Sequence, residues 1–171
     1  MPFKNSSKGK GLVGAEIEIG LNKTLTVATS HLKSPNPPKM QTQKRVSQAK
    51  EALRILQVFP NVIFGGDMNW DEEIDGDFPL QSVWKDAWIE LRGGEEGWTF
   101  DTKSNPMLHG NYPLQKRLDR FICKLEDYSM KNVEMIGKKP IPGISYHNNK
   151  GKQLPVLPSD HYGLILTISL N

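Results

Sequence analysis

Apolar and polar residues alternate along two neighbouring stretches near the start of the chain. In the first, the apolar positions are Val13, Ala15, Ile17 and Ile19, and glutamates fall between them. A period of two predicts a half-buried strand over residues 13–19, and "TLTVATSH" predicts a second strand over residues 24–31. A turn predicted at "LNK", residues 21–23, would join the two strands into a hairpin.

A helical period follows the hairpin. Over residues 38–58, four apolar residues recur at heptad-like spacing and predict a helix with one apolar stripe. They are Val46, Ala49, Leu53 and Leu56. Residues 61–66, "NVIFGG", are nearly all apolar, which is typical of a strand buried on both faces. A shorter helix is predicted over residues 78–91, and four of its side chains are predicted to lie in the core: Val83, Trp84, Ala87 and Trp88.

Short strands dominate the second half of the chain. They are predicted at about residues 98–102, 117–124, 130–136 and 162–170. In the 117–124 strand, Asp119 shares one side with Phe121 and Cys123. An order of mostly strands, with two helices inserted and short turns, predicts a layered α/β sandwich of mostly antiparallel sheets flanked by helices.

Composition narrows the class of protein. With 171 residues, 37% hydrophobic and 24% charged, the chain can bury one core, so residues 1–171 are predicted to form one domain. A net charge of +3 permits an anionic partner without requiring one. The single cysteine, Cys123, favours a reducing, intracellular compartment. No apolar run reaches the roughly 18 residues of a membrane span, so no membrane partner is expected.

The acidic stretch "DEEIDGD", residues 71–77, invites comparison with a calcium-binding loop. The third loop position is Glu73 instead of Asp or Asn, and the twelfth is Ser82 where a bidentate glutamate is required. We therefore predict an exposed acidic loop.

Polar side chains stand at the ends of several predicted strands. Asp67 and Asn69 follow two glycines, and residues two apart on a strand point to the same side. His31 ends another strand, and Asp160 with His161 precedes the last one. Each has an ordinary structural explanation: an Asx turn, a surface histidine and a polar loop.

Asp119 is the least ordinary of these residues. An inward-pointing carboxylate needs a partner, because burial without one costs free energy or shifts its pKa. A histidine is a suitable partner, since it then presents its other ring nitrogen in a fixed tautomer. Together, the strand ends match the needs of metal-assisted phosphodiester hydrolysis: carboxylates for a hard cation, a base for water, and donors for phosphate.

Four segments resemble motifs of the endonuclease/exonuclease/phosphatase superfamily. They are "TSHL" (29–32), "GGDMN" (65–69), "RLDRF" (117–121) and "PSDHYGL" (158–164). Within it, the sequence is most similar to the tyrosyl-DNA phosphodiesterase 2 family, through "TSHLKS", "TFDT" and "KRLDRFICK". The resemblance implies a deoxyribonuclease-like fold and Mg²⁺-dependent hydrolysis, with Mn²⁺ as a substitute. It also implies a 5′-phosphotyrosyl DNA substrate, a monomer, and a nuclear location with a cytoplasmic pool.

The resemblance also implies a role for each site residue. Asp67 would orient or deprotonate water, Asn69 would hold the scissile phosphate, and His161, oriented by Asp119, would stabilise the transition state. His31 would bind phosphate oxygens, and Asp160 would lie at or near the metal. The implied substrate-binding residues are Lys33, Ser34, Trp70, Phe100 and Leu118. Phe100 and Leu118 replace larger aromatics of the family in an apolar wall against the terminal nucleotide.

Two family motifs are not found in this sequence. They are an Asn at the end of the first strand and a Gln-Glu pair whose Glu binds magnesium. The sequence is therefore predicted to be an N-terminally truncated form of the domain, an isoform or a partial record. Two alternatives stay open: another phosphoesterase of the same fold, a nuclease or a lipid or inositol phosphatase, and an inactive truncated form.

Overall fold

The fold is built mainly from short strands. The computed structural model describes residues 1–6, 9–20, 23–108 and 112–171. The strands are β1 (Leu12–Glu18), β2 (Thr24–Ser30), β3 (Asn61–Asp67), β4 (Lys85–Asp86), β5 (Phe100–Asp101), β6 (Gln115–Lys116), β7 (Asp119–Leu125), β8 (Tyr128–Ile136), β9 (Ser145–His147), β10 (Gln153–Pro155) and β11 (Gly163–Leu170). The helices are α1 (Thr42–Leu56), α2 (Glu72–Asp75) and α3 (Ala87–Arg92), and a 3₁₀ turn spans Pro106–Leu108.

The principal sheet has five strands in the order β1–β2–β3–β7–β4. β2 and β3 are parallel and are connected through α1, whereas the other neighbours in this sheet pair antiparallel. Three antiparallel ribbons complete the described structure: β8–β11, β9–β10 and β5–β6. The predicted α/β architecture with mostly antiparallel pairing is confirmed.

Helix α1 covers one face of the principal sheet. It begins at Thr42, four residues later than predicted, because Gln41 adopts a left-handed conformation (φ 60°) that a continuing helix excludes. The predicted stripe is buried at Ala49, Leu53 and Leu56 and packs in one core with sheet residues such as Phe64.

Within the described ranges, no helix is long and apolar enough to cross a membrane.

The β1–β2 hairpin forms as predicted, but its apolar face is not buried. β1 is an edge strand, and Val13 and Ile17 are 65% and 45% exposed. Of the seven residues of β1, Leu12 alone is buried. The prediction of a half-buried strand was therefore wrong, because alternation reveals which residues share a face and not whether anything packs on it. The predicted turn at residues 21–23 includes two residues outside the described ranges.

The predicted helix over residues 78–91 is mostly not helical. Its second part is β4 followed by α3, because the Asp86 side chain accepts hydrogen bonds from the backbone N–H groups of Trp88 (3.0 Å) and Ile89 (3.4 Å) and so caps a helix that begins at Ala87. Trp84, Ala87 and Trp88 are buried as predicted, whereas Val83 is exposed.

The acidic stretch is not wholly exposed, which corrects the sequence prediction. It contains α2, and the carboxylate of Asp75 is fully buried. The Arg45 guanidinium donates to both oxygens of this carboxylate, at 2.7 and 2.6 Å, so helix α1 and the acidic stretch are joined by a bidentate ion pair. The apolar periodicity of α1 gave no sign that Arg45 points inward.

The only cysteine should be unreactive in the folded protein. Cys123 is buried in β7, and its burial, with a smaller effect of the Asp86 charge, raises the pKa of the thiol to about 12. Since the thiolate is the reactive species, a disulfide reagent at neutral pH should modify the native protein far more slowly than the protein in denaturant. Rapid reaction of the native protein, measured by absorbance, would contradict the buried position.

Candidate active site

Two carboxylates meet at one end of the principal sheet. Asp67 is the last residue of β3 and Asp119 the first of β7, and the antiparallel register places them directly opposite each other. The backbone N–H of the next residue, Met68, donates to the carbonyl of Leu118 (2.8 Å) and extends this pairing beyond the strands. The two acids are 52 positions apart in the sequence, and the sheet register alone brings them together.

Asn69 is held against Asp67 by a tight turn. Asn69 has a positive φ of 48°, a conformation that asparagine tolerates better than most residues. Its backbone N–H donates to one oxygen of Asp67 (2.8 Å), and its side-chain amide donates to the other oxygen (3.1 Å) and to the Leu32 carbonyl (3.2 Å). The predicted pairing of an acid and an amide is present, and the turn rather than strand alternation produces it.

His161 lies beside Asp119, as the inward-pointing carboxylate predicted. The Nδ1 atom of His161 is 2.7 Å from Oδ2 of Asp119. The Phe100 ring meets the imidazole edge-on, with 5.2 Å between ring centroids. With Nδ1 occupied by the carboxylate, Nε2 is the ring nitrogen left to act on a ligand.

A buried asparagine holds the loop that carries His161. The side-chain amide of Asn105 donates to the carbonyls of Ser159 (3.2 Å) and Asp160 (3.1 Å), and the Ser159 hydroxyl accepts from the backbone N–H of His161 (3.1 Å). Asn105 was missed in the sequence because one polar residue in a loop gives no signal. Asp160 is exposed, and its carboxylate accepts a bond from the Ser159 hydroxyl (3.2 Å).

His31 reaches the site from the end of β2. Its Nε2 lies 3.3 Å from Oδ2 of Asp67. Strands β2 and β3 approach closely here because Gly66 has no side chain: a Cβ at this position would lie 2.2 Å from the Ser30 carbonyl oxygen, and its φ of 143° also favours glycine. Gly66 therefore allows a third strand end to reach the site.

The segment after His31 carries Lys33 and Ser34 and is anchored by helix α1. The Gln48 side chain accepts from the backbone N–H of Lys33 (2.8 Å), and the Arg45 guanidinium donates to the Lys33 carbonyl (2.9 Å). Both anchoring side chains are 1% exposed. The side chains of Lys33 and Ser34 stay half-buried at the surface beside the site.

The three apolar residues predicted to contact substrate differ in position. Phe100 lies against His161, and half-buried Leu118 precedes Asp119. The Thr99 hydroxyl accepts from the backbone N–H groups of both Leu118 (3.1 Å) and Asp119 (3.0 Å), which ties the two segments together. Trp70 is 1% exposed, donates to the Gly76 carbonyl (2.9 Å) and so supports the acidic stretch from inside instead of facing the site.

Two buried arginines flank the start of β7, and the sequence gave no indication of them. Arg117 and Arg120 both bond the Asp86 carboxylate, at 2.7 and 3.2 Å, and both bond Glu72, at 3.2 and 2.9 Å. This network fixes the chain on either side of Asp119 to β4 and α2. Its members are scattered in sequence, so only the tertiary structure reveals it.

The site contains a donor set that suits a hard cation. Asp67, Asp119 and His161 each offer one ligand atom, and these atoms lie within 4.8 Å of one another. Burial raises the pKa of Asp67, and the neighbouring Asp119 charge raises it further, partly offset by the Asn69 backbone bond. A divalent cation between two such carboxylates would relieve their repulsion, and carboxylate oxygens are its preferred ligands. Asp160, the predicted metal ligand, is not part of this set.

Replacing Asp119 with asparagine should lower the pKa of His161. The hydrogen bond to Asp119 raises the pKa of His161 above the ordinary value for histidine, against the opposing effect of burial. In Asp119→Asn the imidazolium loses a charged acceptor, so His161 should release its proton at lower pH, as followed by NMR. An exposed-site control, Asp77→Asn, should leave this titration unchanged; equal pKa values in the wild type and Asp119→Asn would refute the pairing.

Comparisons with known proteins identify structural relatives. No protein-family model matches the sequence, and no curated protein does either. Among solved structures, TDP2 from D. rerio complexed with single-strand DNA product is 26% identical, with a TM-score of 0.76 over 96% of this chain. Truncated Caenorhabditis elegans TDP2 is 23% identical, with a TM-score of 0.74 over the whole chain. An endonuclease/exonuclease/phosphatase from Beutenbergia cavernae is 12% identical, with a TM-score of 0.64 over 95% of the chain.

These comparisons confirm the resemblance to the endonuclease/exonuclease/phosphatase superfamily and to TDP2. They also confirm the deoxyribonuclease-like fold. The chain spans 64% of the length of each of the two TDP2 structures and 40% of the bacterial one.

Proposed function

We propose that this chain hydrolyses phosphodiester bonds with the help of a divalent cation, and that its substrate is a 5′-tyrosyl end of DNA. The observation that carries the proposal is the convergence of Asp67, Asp119 and His161 within 4.8 Å. Such a set supplies a base, a cation-binding carboxylate and an oriented imidazole in one place.

Each side chain has a chemical task in this reaction. Asp67 accepts the proton of the attacking water. His161 donates from Nε2 to an oxygen of the phosphate as negative charge develops there. Because Asp119 raises the pKa of His161, this donor stays protonated at higher pH than an ordinary histidine. As the water oxygen bonds to phosphorus, the bond from phosphorus to the tyrosine oxygen breaks, and the released phenolate takes a proton from solvent.

The cation and the remaining polar groups neutralise the phosphate. Asp67 and Asp119 would hold Mg²⁺, or Mn²⁺ in its place, and the ion would act as a Lewis acid on a phosphate oxygen. His31 lies 3.3 Å from Asp67 and is 61% exposed, so it can also reach a bound oxygen. Lys33 and Ser34, which follow His31 in the chain, add further donors. Both hydrogens of the Asn69 amide are already bonded, to Asp67 and to the Leu32 carbonyl, so Asn69 orients Asp67 instead.

Apolar contacts support a nucleotide as the group beside the phosphate. The Phe100 ring stands next to His161, and aromatic rings stack on bases at a gain of about 1–3 kcal/mol each. The D. rerio structure of TDP2 was determined with a single-strand DNA product. For a DNA-end substrate we propose a monomeric enzyme in the nucleus, with a cytoplasmic pool.

A comparison of substrates tests the proposal. With Mg²⁺ present, the chain should release tyrosine from a 5′-tyrosyl oligonucleotide and should not degrade plain duplex DNA, phospholipid or inositol phosphate at comparable rates. Chelation with EDTA should stop the reaction, and added Mg²⁺ or Mn²⁺ should restore it. Preferred hydrolysis of a lipid or inositol phosphate would replace the DNA assignment, and no hydrolysis of any of them would overturn the enzymatic one.

A further inference from the structure

A basic segment without acidic residues follows strand β8. Residues 137–158 contain four lysines and no aspartate or glutamate, in a chain whose net charge is only +3. The lysines are Lys138, Lys139, Lys150 and Lys152. The segment includes the hairpin β9–β10, in which Gln153 pairs with His147 at the end next to the turn. Lys150 and Lys152 lie in this turn, residues 148–152, which we call the hairpin tip.

The lysines of this segment are available to a ligand. All four are exposed. Among the described residues, the lysines that form ion pairs with acids lie outside this segment. Lys138 has a cation–π contact, with its Nζ 5.6 Å from the centre of the Tyr162 ring. Lysines on an ordinary solvated face usually alternate with acids, whereas here the local charge has one sign.

The segment contacts residues that neighbour the candidate active site. The Tyr146 hydroxyl in β9 donates to the Pro106 carbonyl (2.8 Å), directly after Asn105, which holds the His161 loop. Tyr162, beneath Lys138, follows His161 in the chain, and its hydroxyl is 2.9 Å from the Ser104 hydroxyl. The segment that carries the lysines therefore contacts residues adjacent in the chain to Asn105 and His161.

We propose that the segment 137–158 binds the phosphate backbone of a single nucleic-acid strand whose 5′ end occupies the site at Asp67 and His161. That the ligand is a nucleic acid rests on the proposed function. That the ligand is anionic rests on the positive charge of the segment itself. Lysine side chains bind phosphates as point charges and release counterions, so the interaction is independent of base sequence. The site itself would hold the end of the strand, and this segment would hold nucleotides further along it.

Salt-dependent binding tests the inference without requiring hydrolysis. The probe is a fluorescent oligothymidylate of about 15 nucleotides, measured by anisotropy with EDTA present. Removing the hairpin-tip charges, in K150Q/K152Q, should weaken binding and lower the slope of log Kd against log salt by about 1.4, because each phosphate that a lysine neutralises contributes about 0.7 to that slope. The matched control, K44Q/K50Q, removes two exposed lysines of helix α1 and should leave the slope unchanged.

The outcomes separate this inference from the proposed function. Equal slopes for the wild type and the tip variant, or equal decreases in the tip and control variants, overturn the inference even if the chain hydrolyses 5′-tyrosyl ends. A lower slope in the tip variant alone upholds it even if no hydrolysis is found. Phosphatidylserine vesicles give a third arm: if the tip variant no longer binds vesicles while its oligonucleotide binding is unchanged, the segment recognises membrane and the inference fails.

Discussion

Alanine at His161 is expected to slow the hydrolysis of a 5′-tyrosyl oligonucleotide by about 10²–10⁴-fold. The imidazole is held at 2.7 Å by Asp119, and its removal leaves the developing phosphate charge without a protonated donor. Asparagine at Asp67 should cause a decrease of similar size, because the amide cannot accept the proton of water. Single-turnover rates at saturating Mg²⁺ measure both effects on the chemical step.

A surface variant provides the control for these decreases in rate. Asp77 is exposed, so Asp77→Asn makes the same chemical change as Asp67→Asn outside the site and should retain the wild-type rate. The His161→Ala and Asp67→Asn variants should also retain the thermal stability of the wild type to within a few degrees. Rates within twofold of wild type in either His161→Ala or Asp67→Asn would remove the roles assigned to these residues.

The double variant tests whether Asp119 acts through His161. If the carboxylate serves mainly to orient and charge the imidazole, Asp119→Asn should by itself strongly slow the proposed hydrolysis and add little once His161 is alanine. Full additivity would mean that Asp119 acts separately, as its place among the candidate cation ligands also allows.

Replacing Arg45 with methionine should lower the free energy of unfolding by about 3–5 kcal/mol. The substitution leaves the Asp75 carboxylate, which is fully buried, without the guanidinium that holds both its oxygens. It also removes the donor to the Lys33 carbonyl, so the His31–Ser34 segment should loosen. Urea unfolding measures the destabilisation, and adding Asp75→Asn to Arg45→Met should recover part of it, since no charge is then buried alone.

The exposed pair of Lys85 and Glu90 is the matched control. Its side chains are 54% and 44% exposed, so Lys85→Met should cost less than about 1 kcal/mol. A cost for Arg45→Met as small as that of Lys85→Met would show that the buried pair contributes little.

The same buried pair predicts how stability varies with pH. Burial alone would raise the pKa of Asp75, but the hydrogen bonds and charge of Arg45, together with the hydrogen bond from the Asp71 backbone N–H, outweigh it and hold the pKa below the ordinary value of 3.8. The folded state therefore binds this proton less readily than the unfolded state. The stabilisation is complete well above pH 3.8 and is lost as the pH falls through the lower folded value. In Arg45→Met, the loss of folding stability that Asp75 causes as the pH falls should disappear or reverse.

The sequence predicted the helices and strands whose apolar residues repeat with a single period over a short stretch of chain. The stripe of α1, the apolar run of β3 and the β1–β2 pairing all depend on residues close together in the chain. The partner of Asp119 was also predictable, because a carboxylate on an inward-pointing strand face requires a donor. For the same reason His161 could be proposed, and the motif resemblance identified which histidine it was.

Features that depend on distant contacts were not predictable. Arg45 and Asp75 are ordinary charged residues until α1 lies against the acidic stretch, and Asn105 is an ordinary loop residue until it bonds the Ser159 carbonyl. Val13 looked buried because periodicity does not show whether an edge strand is covered. The helix predicted around Asp86 was wrong because a single capping carboxylate decides where helicity begins.

The absence of a side chain at Gly66 determines how closely two strand ends approach at the candidate site. His31 stands next to Asp67 because two main chains touch where any larger residue would act as a wedge. The distance between the ends of β2 and β3, which carry these two side chains, is thus set by contact between their backbones. A methyl group at position 66 would force the ends of these two strands apart.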